Sequence, residues 1–319
     1  MGVRLPQVAI SAVSHVLERH GAFLPVDGEC RLDRMADRLL VPIANPETAD
    51  RLLDTAVDLA HDRNLELVVL SVVTVPMQLS LEHARDTLDI EDEEALLADV
   101  VERARGYGVD ATGRIRFGRD IADGICHVAA ELDAAAVLVG WRGRPQRRDV
   151  VLGSHIDTVL ATAPCDVLVK RIDRTVTDVD SILVPVAGGP NTEFAAETAG
   201  ALARAHDARV ELLTVVPTRD DEQLAGARGM LTETSSSLGV VDSVTETVLE
   251  GDVTETILEQ ADAHDVVVIG AAESGLLRSV LVGDVSETVG REAESAVIMA
   301  KRHQGVSKTV WRRVRDRLR

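Results

Sequence analysis

The sequence predicts an α/β protein built from two tandem, doubly wound parallel sheets, and three observations carry that prediction. Short aliphatic runs alternate with longer stretches whose apolar residues recur at helical spacing. The order of these runs occurs twice: Val41-Pro42 is answered by Val184-Pro185, and Gly140 and Gly153 by Gly270 and Gly283. A length of 319 residues suits two domains, each large enough to bury a core.

Residues 1–35 fit neither copy and read as an N-terminal extension, with a short amphipathic stretch over 8–20 ended by Gly21. The first copy, residues 36–172, opens with the apolar run 39–43 as a strand. A helix follows, because Asn45 suits the cap, Pro46 the first helical position and Glu47 the positive end of the dipole. Leu52, Leu53, Ala56, Val57 and Ala60 give it a buried stripe. Residues 66–75 are nearly all aliphatic, as a strand covered on both faces must be. A helix is expected over about 81–106, interrupted near 89–92, then a strand over 110–117, a helix over 120–132 and a strand over 136–139. A helix from Ser154 and a strand over 166–170 complete the copy.

The second copy, residues 179–302, repeats the order. Strands are expected over 182–186, 210–216, 240–249, 266–269 and 296–300, and helices over 191–206, 220–238, 252–263 and 285–294. The link 173–180 is polar and short, so the two halves should pack together as an intramolecular pair. A basic tail, residues 303–319, follows; with Lys301 and Arg302 leading into it, it carries eight cations against the single acid Asp316. Val310, Val314 and Leu318 share one helical face there. Such a tail either lies on an anionic membrane or a partner, or folds onto the protein's own acidic surface.

Composition narrows the function classes. Fifty-three acidic residues against 34 basic ones give a formal charge of −19, which disfavours nucleic acid as a partner. Only Lys170, Lys301 and Lys308 are lysines. An acidic, lysine-poor surface resembles proteins of salt-rich, haloarchaeal-like cytoplasm; an Arg-biased genome gives the same pattern. Cys30, Cys126 and Cys165 are scattered without metal-ligand spacing, as expected of incidental thiols in a reducing compartment. With no apolar run long enough to span a bilayer, the expected location is cytoplasmic.

The stretch 140–154, GWRGRPQRRDVVLGS, carries the chemistry. It leaves an apolar strand at Gly140, passes Gly143 and four arginines (Arg142, Arg144, Arg147, Arg148), and re-enters at Gly153-Ser154. Glycines let backbone N–H groups approach an anion, a helix starting at Ser154 points its positive end at it, and arginines pair with phosphate oxygens. Ser154 with Asp157 also matches a capping box, which would spend the hydroxyl on the helix's own N–H groups.

This stretch resembles the nucleotide-binding signature of universal stress proteins. The resemblance covers both copies, with LLVPIANPETA opening the first and ILVPVAGGPNTE the second. It implies an adenine nucleotide alpha hydrolase-like fold and ATP or a related adenine nucleotide, with Mg²⁺, held by Gly140, Arg142, Gly143, Gly153 and Ser154. The backbone near Val72 would match the family's adenine edge. Members that bind nucleotide usually carry an acid just after the first strand; here Ala44 and Ala187 stand there, a loss of an acceptor worth about 1–3 kcal/mol.

In the second copy Glu273 replaces the middle glycine and Asp284 the hydroxyl residue, putting carboxylates where a phosphate would sit. The expectation is therefore a cytoplasmic stress-response regulator that binds nucleotide through its first half only and is not an enzyme. No dinucleotide fingerprint, Gly-Lys-Ser/Thr loop, His-Glu-x-x-His or nucleophile elbow occurs, and no residue is an evident water-activating base for ATP hydrolysis. The alternative is a non-enzymatic module that partners a membrane transporter, since VPIANPETA and VAGGPN resemble stress-protein domains attached to amino-acid permeases. Homodimerisation is compatible with either reading.

Overall fold

A computed structural model describes residues 37–142, 154–174, 178–271 and 285–304. The first half runs β1 (Arg38–Pro42), α1 (Pro46–Arg63), β2 (Glu66–Thr74), α2 (Leu81–Thr87), α3 (Glu91–Gly106), β3 (Ala111–Gly118), α4 (Ile121–Glu131), β4 (Ala136–Trp141), α5 (Ser154–Thr162) and β5 (Asp166–Arg171). The second runs β6 (Ser181–Pro185), α6 (Pro190–His206), β7 (Arg209–Val216), α7 (Asp221–Ser237), β8 (Val244–Glu250), α8 (Val253–Ala261), β9 (Val266–Gly270), α9 (Val285–Glu292) and β10 (Ala296–Lys301).

Helix starts follow local chemistry. Asn45 caps α1, accepting from the Thr48 N–H at 2.9 Å, and Asp120, Asp220 and Asp252 cap α4, α7 and α8 in the same way. The expected helix over 81–106 is two helices. Leu88 turns to extended backbone, and the Asp89 carboxylate accepts from the N–H of Glu91 as the chain restarts. The strand expected from 240 begins only at Val244. Gly239 sits at positive φ, and Arg204 Nη1 takes the Leu238 and Val240 carbonyls, which removes that segment from the ladder.

The sheet departs from expectation in one respect. Each half is parallel, as its aliphatic strands foretold, but the two halves share one ten-stranded sheet in the order β3-β2-β1-β4-β5-β10-β9-β6-β7-β8. The join is the antiparallel pair β5–β10, with Ile298 opposite Lys170 and Ala300 opposite Leu168. Both strands are buried along most of their length, and an unpaired edge of that kind is a liability that pairing removes.

Helices cover both faces, giving two cores. On one face α1 and α6 meet across the halves: Arg204 grips Asp62 with two nitrogens at 2.6 and 3.0 Å, and His206 reaches Asp58 at 3.0 Å. Arg63 and Arg302 lie over the Phe194 ring at 5.5 and 4.6 Å. On the other face α4, α5, α8 and α9 cover the sheet.

Candidate functional site

In a doubly wound sheet the crevice opens where the winding reverses, beyond the carboxyl ends of the strands that flank the reversal. In the first half those strands are β1 and β4. They pair only at Leu39–Ala136 and Leu40–Val137 and then diverge towards Ala44 and Gly140. The second half repeats this, with β6 and β9 paired only at Ile182–Val266 and Leu183–Val267.

Of the residues expected to bind, Ala44 follows β1, Val72 lies near the carboxyl end of β2, and Gly140 and Arg142 stand at the end of β4. Ala44 is exposed just past β1, beside the Asn45 cap. Gly140 is packed close: a Cβ there would meet Ile172 side-chain carbons at 3.1 and 3.2 Å and Thr48 Cγ2 at 3.5 Å. Val72 lies on β2 and presses against α4, where a Cβ on Gly124 would stand 2.8 Å from its Cγ1, so α4 reaches the sheet only because residue 124 is glycine. Arg142 reaches across to α1 and pairs with Glu47 at 3.0 Å, both side chains more than half exposed. That pair is a surface one, easily exchanged for a stronger anionic partner.

Helix α5 begins at Ser154, as its place after the loop required, and His155 Nδ1 stands 3.7 Å from the Asp120 carboxylate that caps α4. Gly143, Arg144, Arg147, Arg148, Gly153, the Ser154 side chain and its capping box lie outside the described residues, as do Glu273, Gly283, Asp284, the N-terminal extension and the tail beyond residue 304.

The second crevice is filled differently. A Cβ on Gly270 would stand 2.8 to 3.0 Å from backbone atoms of Asn191 and Thr192, so the first turn of α6 lies directly on the strand end. The Asn191 amide then bridges the gap, donating to the Ala271 carbonyl at 2.7 Å and accepting from the Arg302 N–H at 2.9 Å. Beside Gly140 the nearest atoms belong to side chains; beside Gly270 they are backbone, with the buried Asn191 amide next to them.

Sequence reading missed a set of cations at the junction of the halves. Arg171, 2% exposed, reaches from the end of β5 to the carboxyl end of α9, donating to the carbonyls of Gly290 at 2.8 Å, Ala293 at 2.6 Å and Ser295 at 3.3 Å, and it pairs with Asp173 at 2.9 Å. Lys301, at the end of β10, answers it by donating to the Leu160 carbonyl near the end of α5. Each half thus caps the helix that follows the other half's glycine loop. Arg302, which leads into the basic tail, pairs with Asp166 at 2.9 Å and with Glu197, and the His303 N–H donates to Asp166 as well, so the chain is held to the protein's own acidic groups through His303. A strand that ends in Lys170-Arg171 was the one available signal.

Trp141, 3% exposed, also belongs to the junction: its ring lies against Gly290, where a Cβ would stand 3.2 Å from Cζ3. The predicted loop therefore leaves from a residue already seated on the second half.

Several histidines among the described residues have structural partners. His61 meets the Tyr107 carbonyl at 2.7 Å, His127 that of Asp123 at 2.8 Å, and His264 that of Gln260 at 2.8 Å. Burial pushes the Cys165 thiol up to about 12, far from a reactive thiolate. Among the described residues no group of His, Cys, Asp or Glu could hold a metal ion, and no helix is long and apolar enough to cross a membrane.

Comparison with known proteins places these features. The model of the universal stress protein family matches residues 35–171 and again 179–301. A universal stress protein from Archaeoglobus fulgidus is 21% identical and superimposes with a TM-score of 0.65, covering 84% of this chain and 99% of that one. The cytoplasmic domain of a prokaryotic cation chloride cotransporter shares the fold at 14% identity, with a TM-score of 0.58 over 83% of this chain and 95% of that one. The Na(+)/H(+) antiporter NhaS5 of Synechocystis sp. is 27% identical over 237 residues, which is 72% of this chain; the chain spans 33% of the antiporter's length. The chain belongs to the universal stress protein family and carries two tandem domains of it.

Proposed function

We propose that this chain is a non-enzymatic regulator that binds ATP or a related adenine nucleotide, with Mg²⁺, in the crevice between β1 and β4, and that its second half binds none. The observation that carries the reading is the contrast between the crevices. At Gly140 the neighbours are the side chains of Thr48 and Ile172, and Arg142 waits on an exposed partner; at Gly270 the neighbours are backbone, and Asn191 bridges the gap.

Phosphates would take Arg142 from Glu47 and draw on the N–H groups of Gly143, Gly153 and the start of α5, where the helix dipole favours negative charge. The adenine would lie towards Val72. Ala44 supplies no side-chain acceptor, so the nucleoside is held by backbone and shape, and discrimination among nucleosides is weak. Mass spectrometry of small molecules released from the purified protein tests this: the reading expects an adenine nucleotide at no more than one per chain, and ligand-free protein that also fails to take up ATP would overturn it.

A second reading follows from the similarity to the antiporter and the cotransporter domain: the chain serves as the regulatory partner of a cation transporter, contacting it or the membrane beside it through the basic tail. Deleting residues 303–319 should then abolish co-sedimentation with anionic vesicles or transporter-bearing membranes. Undiminished sedimentation would remove the tail from that role.

A further inference from the structure

A crevice of about 260 Å³ lies between the halves, on the α1 and α6 side of the sheet, and the nucleotide reading makes no use of it. Its floor is the junction itself: Lys170 on β5 faces Ile298 on β10, with Val266, Ala296 and Leu202 completing an apolar lining. The Lys170 amine enters this space with a neutral partner, donating to Thr55 Oγ1 at 2.8 Å.

The carboxylates nearby are largely engaged elsewhere. Asp50 takes Arg103 at 2.7 Å, and Asp58 takes His206 at 3.0 Å, leaving Asp54 as the third acidic group of the lining. Two guanidinium groups, Arg51 and Arg174, line the same space. Burial lowers the Lys170 pKa to about 8 against the pull of Asp54 and Asp58, so the amine gives up its proton more readily than an exposed lysine does. A neutral amine in a half-apolar crevice is a nucleophile, and neutralising it permanently removes a charge whose burial is unfavourable.

We propose that this crevice is an acylation site for a small acyl phosphate, with Arg51 and Arg174 receiving the phosphate and the Lys170 amine the acyl group. Nζ, as the neutral amine, attacks the acyl carbon and the N–C bond forms. The bond from that carbon to the phosphate oxygen breaks, phosphate leaves with the electron pair, and the proton on nitrogen passes to solvent. The product is a neutral amide, so Asp50 and Asp58 keep their partners and the apolar floor loses a charge. A carbamate, by contrast, would add an anion beside three carboxylates.

The chain's three lysines supply an internal comparison. The intact protein is incubated with acetyl phosphate, and acetylation at Lys170, Lys301 and Lys308 is followed by peptide mass spectrometry; a parallel reaction uses N-hydroxysuccinimidyl acetate, which carries no phosphate. Lys170 should acetylate at least about tenfold faster than Lys308 with acetyl phosphate, through capture and a larger neutral fraction. Excess inorganic phosphate should slow that reaction and leave the ester reaction unchanged, and Arg51→Gln with Arg174→Gln should remove the preference. Equal or faster labelling of Lys308 by acetyl phosphate would overturn the proposal, as would a Lys170 rate indifferent to inorganic phosphate in the unmodified protein.

Discussion

Replacing Arg171 with alanine probes the junction most sharply, because one side chain spans it. Its guanidinium, 2% exposed, satisfies the carbonyls of Gly290, Ala293 and Ser295 and neutralises Asp173. Truncation leaves three carbonyls without that donor, each a loss of about 1 kcal/mol when water only partly replaces it. Asp173 is 43% exposed, so losing its partner adds little. The guanidinium's own burial, which lowers its pKa, offsets part of the gain it provides in the native protein.

The expected net loss is about 3 kcal/mol, at the low end of what breaking a buried charged network costs. Urea unfolding followed by Trp fluorescence measures it, and Trp141, seated on Gly290, should also change its native emission as α9 loosens. Arg171→Met, which keeps volume without the charge, should recover part of the stability. A loss below about 1 kcal/mol with unchanged emission would mean that solvent already satisfies those carbonyls and the clamp adds nothing.

Other consequences are equally open to measurement. Lys170 has a folded pKa near 8 against an ordinary 10.5, so between those values the unfolded chain binds more protons at this group and its contribution to stability rises with pH; Lys170→Met should be more stable at pH 7 and lose that rise in urea titrations. Gly200 lies where α6 crosses the end of α7, and a methyl there would run into the Leu238 carbonyl, so Gly200→Ala should cost about 2 kcal/mol or more in thermal unfolding. Asn191→Ala strips the Ala271 carbonyl and the Arg302 N–H of their partner and should cost about 1–3 kcal/mol, without creating a second nucleotide site in calorimetry.

The strands were legible because burial on both faces demands unbroken aliphatic runs, and the start of α1 because Asn45-Pro46 serves a purely local need. What pattern could not show was the edge-to-edge joining of the halves, since pairing of β5 with β10 depends on partners 130 residues apart in sequence, as in Val169 and Met299. The clamps failed to announce themselves for the same reason. Arg171 and Lys301 look like ordinary charged residues after a strand until the opposite helix end is placed beside them. Arg142 is expected from the sequence to meet a phosphate, but its pairing with Glu47 is visible only when α1 is set against the end of β4.

Photo-crosslinking with an azido-ATP analogue, followed by peptide mapping, tests the asymmetry of the two crevices most directly. The account predicts label confined to peptides within residues 37–171, competed away by ATP and lost in Gly143→Glu. Label of comparable yield within residues 179–304 would contradict it, because the second crevice would then be open despite Asn191 and the backbone lying on Gly270.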